Sequence, residues 1–302
     1  METFSFKEIV SELSEERRHI GSDTKKNEYL PMPDVSELSR AMDLMVKILF
    51  PGYFGESVIN TENLNSYIGV YLHKLVNILS EQVYRGFGFH QKEGNVGFIS
   101  AELANQTCIR FISMLPMIKR KLYADIQATY DGDPAAKSLG EIIYCYPGIK
   151  ALTNYRIAHE MFKLEIPVLP RIIAEMAHSA TGIDIHPGAV IGEALAIDHG
   201  TGVVIGETCR IGKNVKIYQG VTLGALSFPL DEKGIPIKGI DRHPVIEDNV
   251  IIYSGATILG RVIIGKNSVI GGNVWLTHDV PPHSKIMQRK AKENVFIDGS
   301  GI

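Results

Sequence analysis

The sequence has little cysteine and no strong excess of either charge. Its 302 residues include three cysteines, Cys108, Cys145 and Cys209. An odd number of widely spaced cysteines excludes a disulfide framework or cysteine-rich zinc site and favours a reducing compartment. The formal net charge is only −3, which argues against nucleic acid as a partner. Because no apolar run approaches a membrane span and the N-terminus has no apolar signal core, we expect a cytoplasmic protein.

A six-residue repeat organises the second half of the chain. An aliphatic residue, here called an anchor, recurs at every sixth position apart from a two-residue insertion and one longer loop. The anchors are Ile185, Ile191, Ile197, Ile205, Ile211, Ile217, Leu223, Ile246, Ile252, Ile258, Ile264, Ile270 and Leu276. A period of six fits neither an amphipathic helix nor an alternating strand. It is typical of a parallel β-helix, in which three hexapeptides form one coil and the anchors stack inside the prism.

Outside the repeat, apolar spacing predicts helices. We expect an α+β protein with an all-helical N-terminal domain followed by a left-handed parallel β-helix. Predicted helices lie near 5–19, 35–49, 60–85, 99–129, 135–142, 147–164 and 167–179. Gly86 to Gly97 should end the third of these, Pro116 should kink the fourth, and Pro134 should begin the fifth. The predicted domains are an N-terminal extension at 1–33, a helical oligomerisation domain at 34–182, a catalytic β-helix at 183–280 with a protruding loop at 224–245, and a tail at 281–302.

Polar residues that interrupt the hexapeptide pattern are the candidates for chemistry, because the β-helix itself is a scaffold. The first is His199, which follows Asp198 where the two extra residues break the repeat. An imidazole beside a carboxylate is a candidate general base, and a free imidazole with a pKa of about 6.5 suits proton abstraction at neutral pH. The alternative is a histidine that caps a corner or bonds to a neighbouring chain.

Two further groups of polar residues flank His199 in the sequence. Arg242 and His243 lie in the loop at 224–245, and a long loop that leaves a solenoid is a typical binding site. The glycines and prolines of its first part also suit a disordered insertion. Asp184 stands at the mouth of the β-helix, where it either orients His199, as the third member of a triad does, or caps the first coil.

Metal chemistry is a weaker alternative. A hexapeptide β-helix can hold zinc through three histidines shared between subunits. His186, His199 and His243 are available, but none of them is paired at ligand spacing. We therefore predict no metal site.

Several motifs together resemble those of bacterial serine acetyltransferases, a family of hexapeptide-repeat acyltransferases. The segments that carry this resemblance are Tyr130-Asp131-Gly132-Asp133-Pro134, Tyr155-Arg156-Ile157-Ala158-His159, Gly182-Ile183-Asp184-Ile185-His186-Pro187, Asp198-His199-Gly200-Thr201-Gly202, Val204-Ile205-Gly206-Glu207-Thr208, Gln219-Gly220-Val221-Thr222-Leu223-Gly224, Asp241-Arg242-His243-Pro244 and Val280-Pro281-Pro282-His283. Hexapeptides alone are shared by many acyltransferases, whereas this combination is specific.

The resemblance implies an enzyme that transfers the acetyl group of acetyl-CoA to the hydroxyl of L-serine, the first step of cysteine biosynthesis. It implies that His199 is the catalytic base for direct attack, that Asp184 holds its imidazole, and that His243 is a second active-site histidine that binds serine. Asp133 and Asp198 would then grip the amino group of serine. Arg242 would pair with its carboxylate, for which a bidentate guanidinium is suited.

For the acyl donor, the resemblance implies a cleft between adjacent β-helices. The matching CoA-binding positions are Gly224, Ala225, Ser254 and Gly272. The chain departs from the family pattern on this side. Gly224 is followed by Ala225-Leu226 in place of Gly-Thr, two usual alanines are replaced by Ser254 and Gly272, and the loop before Asp241 is longer.

The resemblance also implies partners. The first is the chain itself, in a homo-oligomer expected as a hexamer built from two trimers. The second is L-cysteine, as an inhibitor. The third is O-acetylserine sulfhydrylase, into which the terminal Ile302 would dock, since the chain ends with a similar tail. Two alternatives stay open. One is a hexapeptide acyltransferase for another hydroxyl or amine acceptor, and the other is a non-catalytic scaffold that only docks the sulfhydrylase.

Overall fold

The structure, a computed structural model, describes residues 5–16, 32–55, 58–92 and 100–288. Within these ranges the helices are α1 (Phe6–Glu16), α2 (Val35–Leu49), α3 (Leu64–Lys92), α4 (Ala101–Ile112), α5 (Leu115–Gly132), α6 (Leu139–Cys145), α7 (Pro147–Lys163) and α8 (Leu169–Thr181). Two compact units divide the chain. One contains Met1–Leu122 and Leu152–Ala177, and the other contains Tyr123–Ala151 and His178–Ile302.

The second unit contains a left-handed parallel β-helix of short strands. They are β1 (Asp184–Ile185), β2 (Val190–Ile191), β3 (Ala196–Asp198), β4 (Val204–Ile205), β5 (Arg210–Ile211), β6 (Lys216–Tyr218), β7 (Thr222–Gly224), β8 (Val245–Ile246), β9 (Ile251–Ile252), β10 (Thr257–Leu259), β11 (Ile263–Ile264), β12 (Val269–Ile270), β13 (Trp275–Leu276) and β14 (Lys285–Ile286). Sheet A has the order β1-β4-β7-β10-β13, sheet B β11-β8-β5-β2, and sheet C β14-β12-β9-β6-β3. From β1 to β13, successive strands therefore visit sheets A, B and C in turn, as a triangular prism requires.

The anchors form the core of this prism, as the repeat predicted. In sheet A, Ile185 lies in register with Ile205, and Ile205 with Leu223. Every predicted anchor is at most 5% exposed. Burying a side chain of this size stabilises the fold by about 1.5–3 kcal/mol. The solenoid also extends past the predicted boundary at 280, because β14 pairs with β12 and adds one more position to sheet C.

Asparagine forms one of the three corners. Asn214, Asn249 and Asn267 have φ values of 55°, 60° and 59°. Asparagine tolerates this left-handed conformation better than most residues. The three side-chain amides also form a ladder, with hydrogen bonds of 3.2 Å and 3.1 Å between successive coils.

Two predictions about helices in the first unit are wrong. The expected break after Arg85 is wrong, because α3 continues through Gly86 to Lys92. A Cβ at Gly86 would come within 2.8 Å of Leu169 and 2.9 Å of the Pro167 carbonyl oxygen, so this glycine serves close packing within a helix. The prediction of a single helix at 99–129, kinked at Pro116, is also wrong. Two helices form instead, and Pro116 lies in the first turn of α5, where proline is tolerated.

The expected helix start at Pro134 is wrong as well. Asp133 Oδ1 accepts a hydrogen bond from the Ala135 amide at 2.8 Å, which makes a turn. Helix α6 begins later and is capped by Ser138, whose Oγ accepts from the Glu141 amide at 3.1 Å. Glu141 in turn accepts from the Lys137 amide. This resembles a capping box, a stronger helix start than proline alone.

Helices of the second unit hold the first coil of the prism. The buried Asp125 carboxylate, on α5, accepts a hydrogen bond from the Leu195 amide at 3.0 Å. At the start of α7, a Cβ at Gly148 would overlap the Ile197 carbonyl oxygen, so only glycine permits this approach. These contacts fix β3, the strand that ends in Asp198, against the helices. In the part of the chain that the structure describes, none of the helices is long and apolar enough to span a membrane.

Candidate active site

Asp198 and His199 lie at the corner between sheets C and A. Strand β3 ends at Asp198, and His199 adopts φ 55°. The next residue must be small, because a Cβ at Gly200 would overlap the Ile183 side chain. The His199 side chain is 75% exposed in the single chain, with Nε2 3.9 Å from Asp198 Oδ1. The two inserted residues thus turn an imidazole out of the prism toward solvent.

Asp133 joins this corner from the turn after α5. Its Oδ2 accepts a hydrogen bond from the Tyr146 hydroxyl at 2.7 Å. That bond is the main cause that holds the pKa of Asp133 below its usual value, and the positive charges of Lys216 and His199 lower it further. The same contact raises the pKa of Tyr146 to about 12. Asp133 is therefore held as a carboxylate.

Lys216 connects the turn that carries Asp133 with the Asp198 carboxylate. Its Nζ donates to the Gly132 carbonyl oxygen at 2.6 Å and lies 3.3 Å from Asp198 Oδ2. Burial alone would lower the pKa of Lys216, but its bond to Tyr218 and the charge of Asp198 outweigh burial and raise it. We call Asp133, Tyr146, Asp198, His199 and Lys216 the base corner.

Asp184 lies one coil away from His199. Its amide donates to the Val203 carbonyl oxygen at 2.9 Å, and Gly202 pairs in the same way with Gly182. The Asp184 side chain points out of the prism, because the following Ile185 is the buried anchor. Among the residues that the structure describes, no side-chain hydrogen bond joins Asp184 to His199. The partnership of these two residues stays a prediction.

A second polar group lies at the corner between sheets A and B. Arg242 Nη2 donates to Glu207 Oε2 at 2.6 Å. Burial alone would raise the pKa of Glu207, but the Arg242 hydrogen bond and nearby positive charges lower it. Arg261 ties the loop down by donating to the Thr208 and His243 carbonyl oxygens at 2.8 Å and 3.0 Å. We call Glu207, Thr208, Arg242, His243 and Arg261 the arginine corner.

Hydrogen bonds with Thr208 fix the tautomer of His243. The Thr208 hydroxyl oxygen accepts from the amides of Arg242 and His243, at 2.9 Å and 3.2 Å. Its proton is then available for His243 Nδ1, 2.9 Å away, which also accepts from the Thr208 amide at 3.1 Å. Because Nδ1 accepts both bonds, a neutral ring carries its proton on Nε2. Nε2 is therefore a hydrogen-bond donor.

Burial keeps this ring neutral. His243 is 7% exposed, and burial, followed by the charge of Arg242, lowers its pKa. The ring fits because residue 206 is glycine, since a Cβ there would overlap the imidazole. The position before Glu207 thus controls where His243 can lie.

The four predicted CoA-binding positions divide between the same two corners. Ser254 and Gly272 stack in successive coils at the corner between sheets C and A, where a Cβ at Gly272 would lie 3.2 Å from the Ser254 carbonyl oxygen. Gly224 ends β7, and Ala225 follows it at the corner between sheets A and B. Each corner therefore carries both predicted serine-binding residues and predicted CoA-binding residues.

The two corners do not meet within one chain. Strand β4 of sheet A separates His199 from Glu207. Within residues 100–288, no side-chain hydrogen bond or ion pair joins Asp133, Asp198, His199 or Lys216 to Glu207, Thr208, Arg242 or His243. His186 lies on the arginine side, where its charge acts on Glu207, so the three candidate metal histidines are also divided. No group of three potential metal ligands occurs in the described part of the chain.

Sequence reasoning missed six residues that hold these corners together, including Glu207 and Arg261 at the arginine corner. Lys216 precedes the anchor Ile217 at an outward position, and a lysine beside the His199 corner was the available signal. Gly206 and Thr208 lie in the motif Val204-Ile205-Gly206-Glu207-Thr208, which carries the family resemblance but predicts no role for either residue. Tyr146 has no signal in the sequence, because its contact with Asp133 depends on the path of the chain between α5 and α6.

Comparison with known proteins agrees with this architecture. Residues 243–278 match the family model described as bacterial transferase hexapeptide (six repeats). The chain is 48% identical to a plasmid-encoded serine acetyltransferase of Synechococcus elongatus over 97% of this chain and 94% of that one. It is also 46% identical to the Bacillus subtilis serine acetyltransferase, over 57% of this chain and 75% of that one.

Solved structures give the same result. The structure resembles serine acetyltransferase isoform 3 of Entamoeba histolytica in complex with cysteine, with a TM-score of 0.72, 33% identity, and coverage of 96% of this chain and 93% of that one. It resembles Neisseria gonorrhoeae serine acetyltransferase in complex with serine with a TM-score of 0.54, 25% identity, and coverage of 89% and 100%. The chain belongs to the serine acetyltransferase family of hexapeptide-repeat acyltransferases.

Proposed function

We propose that this chain transfers the acetyl group of acetyl-CoA to the L-serine hydroxyl by direct attack, with His199 as the general base. The observation that carries the proposal is the base corner, where an exposed imidazole stands beside two carboxylates. Asp133 is held ionised by Tyr146, and Asp198 lies next to His199. Carboxylates are suited to bind an ammonium group, so this corner can hold the amino group of serine close to a base.

In the proposed reaction, His199 removes the proton of the serine hydroxyl as its oxygen attacks the thioester carbonyl. The new bond joins serine oxygen to the acetyl carbon, and the carbon–sulfur bond of acetyl-CoA breaks. The proton on His199 then passes to the departing thiolate, so the enzyme returns to its starting state. No acyl-enzyme forms. Asp184 would hold the imidazole, as an orienting carboxylate does in a triad.

The arginine corner supplies the complementary groups. Arg242 donates to Glu207 through Nη2 and to the Ile240 carbonyl oxygen through Nη1, and its remaining N–H donors would bind the carboxylate of serine. The neutral His243 presents Nε2–H as a donor. A donor of this kind suits either the bound amino acid or the oxygen that becomes negative as the thioester is attacked.

We infer that the complete site forms between two copies of this chain. The base corner of one prism would face the arginine corner of the next, since neither corner has all the necessary groups. Such a contact joins different surfaces of two copies and closes into a ring when repeated by a three-fold rotation. It would also cover His199, which is 75% exposed in the single chain. A trimer is the smallest such ring here, and pairing of trimers through the helices would give a hexamer.

The same arrangement accounts for acetyl-CoA as co-substrate. At one corner, Ser254 and Gly272 lie in later coils than Asp198 and His199; at the other, Gly224 and Ala225 begin the same loop that carries Arg242 and His243. A cleft between neighbouring prisms would therefore continue from the serine site along the prism axis. Small residues there, such as Gly224 and Gly272, leave backbone groups open to a ligand.

Inhibition by L-cysteine follows from the same groups. Cysteine has the amino and carboxylate groups of serine and differs at the side chain. The Entamoeba histolytica relative has been solved with cysteine bound. We propose that cysteine occupies the Asp133, Asp198 and Arg242 positions of this chain and competes with serine.

Docking of the C-terminal tail into O-acetylserine sulfhydrylase stays a proposal from the resemblance. Ile302 lies outside the described residues. Deletion of Ile302 should abolish binding to the sulfhydrylase while leaving acetyl transfer intact. Unchanged binding after that deletion would exclude this mode of docking.

The test of the function is release of free thiol from acetyl-CoA in the presence of L-serine, with wild type compared with His199→Ala. We expect a serine-dependent rate that falls by about 10²–10⁴ in the variant, the usual contribution of a general base. Homoserine and a sugar serve as control acceptors. Folded wild-type protein that releases thiol with one of these but not with serine would contradict the proposed acceptor. Equal rates for both proteins would exclude His199 as the base.

A further inference from the structure

We infer that Lys216 is a positioning residue for the amino group of the acceptor, which deepens the proposed function and rests on it. Lys216 touches both segments that carry the proposed ammonium ligands. Its Nζ donates to the carbonyl oxygen of Gly132, the residue before Asp133, and pairs with Asp198. One side chain therefore sets the separation of two carboxylates that lie far apart in the sequence.

The surroundings of Lys216 limit where its ammonium can lie. Its side chain is only 18% exposed, and Nζ lies 4.8 Å from the centroid of the Tyr218 ring, within the range of a cation–π contact. Tyr218 is itself stacked on Tyr253, with ring centroids 5.0 Å apart. A Cβ at Gly132 would lie 3.4 Å from Nζ, so the lysine packs closely on the turn that it holds. An aliphatic stem with so little freedom can fix the geometry of its partners.

Lys216 also balances charge. Asp133 and Asp198 are two like charges that must converge on one ammonium group, and such charges repel each other. With the lysine present, the three groups carry a net charge of −1, which one substrate ammonium neutralises. Lys216 pairs with Asp198 Oδ2, whereas the Asp198 oxygen nearer to His199 is Oδ1. The free oxygen thus points toward the reacting group.

Loss of this cation has two opposing effects on ammonium binding. It leaves more negative charge near the substrate, which favours an ammonium group, but it releases the Gly132 turn and lets the carboxylates separate. A hydrogen bond from a charged donor, such as the one from Lys216 to Gly132, contributes more free energy than a screened, partly exposed charge interaction. We therefore expect the loss of position to dominate and serine binding to weaken.

The test compares Lys216→Met with wild type, with Lys213→Met as the matched control. Lys213 lies in the same coil, but its side chain is 64% exposed and its nearest carboxylate oxygen is 4.0 Å away. We expect Lys216→Met to raise the KM for serine and the inhibition constant of cysteine together, each about tenfold or more. The KM for acetyl-CoA and kcat should change less than about threefold, and Lys216→Arg should recover part of the loss. Lys213→Met should leave all four constants unchanged.

The outcomes separate this inference from the proposed function. Wild type that turns over serine, with an unchanged or lower serine KM in Lys216→Met, would overturn the role of Lys216 alone. A fall in kcat and stability with every KM changed together would show a general structural role and would also overturn it. Wild type that binds neither serine nor cysteine in calorimetry would overturn the proposed function and this inference with it.

Discussion

Gly206 controls the position of His243, the proposed second active-site histidine, and Gly206→Ala tests that role. The glycine is not one of the positions with positive φ, so alanine is compatible with its backbone. The effect of the substitution is steric. The new Cβ would overlap the His243 ring, including Nε2, and would lie 2.8 Å from Cγ. The ring must move away from its contacts with Thr208.

The magnitude follows from those contacts. His243 Nδ1 accepts two hydrogen bonds, at 2.9 Å and 3.1 Å, and each contributes about 0.5–1.5 kcal/mol. Overpacking at a filled site costs about 1–3 kcal/mol. We expect a loss of about 2 kcal/mol in the free energy of unfolding, and a similar loss at the active site would lower kcat/KM for serine by roughly 10–10². Release from burial should raise the pKa of His243 toward that of free imidazole.

The assay is serine-dependent thiol release, together with NMR titration of the histidine ring protons. Gly69→Ala, on helix α3, is the control, because a Cβ there meets no atom within 4 Å. It should leave kcat/KM unchanged. Gly206→Ala with wild-type kcat/KM and a His243 pKa still below the usual value would show that the new Cβ does not displace the ring.

Three further predictions concern the same corners. Tyr146→Phe removes the hydrogen bond to Asp133 and should raise the serine KM about tenfold, with the KM for acetyl-CoA unchanged; equal changes in both would contradict this. Arg242→Lys keeps the positive charge but loses the planar guanidinium. The KM for serine should therefore rise while the KM for acetyl-CoA stays constant. Full activity of this variant would exclude carboxylate recognition by Arg242. In the unfolded chain His243 has a pKa of about 6.5, whereas burial lowers its pKa in the native state. The unfolded state therefore binds more protons as pH drops below about 6.5, and the free energy of unfolding should fall. Denaturant unfolding of His243→Asn between pH 7 and pH 5 should show a shallower fall, and an identical slope would contradict it.

Much of the β-helix was predictable because its rule is local and repeats. Each anchor needs only an aliphatic side chain at the sixth position, and all of them are buried as predicted. Two residues of the base corner could also be chosen from the sequence, since Asp198 and His199 break the repeat. A solenoid makes such exceptions visible because each coil repeats the last.

The remaining features depend on contacts between distant segments. Helix α3 runs through Gly86 because Leu169 and Pro167 pack against it, and no local pattern near Gly86 contains that information. Helix α6 begins at its Ser138 cap and not at Pro134, because reciprocal side-chain bonds favour that start. Lys216 was missed for the same reason. Its partner Gly132 is 84 positions away.

His199 of one copy and His243 of another are proposed to act in one site. The most direct measurement is complementation between His199→Ala and His243→Ala, each inactive alone, co-expressed with different affinity tags and purified through both. If each site takes one histidine from each of two neighbours, every mixed trimer contains one complete site in three. Random assembly followed by purification through both tags should therefore restore about a third of wild-type activity for trimers, and about a quarter if trimers pair at random into hexamers. If both histidines come from the same chain, every site lacks one of them. Mixed oligomers as inactive as the two parents would then contradict the shared site.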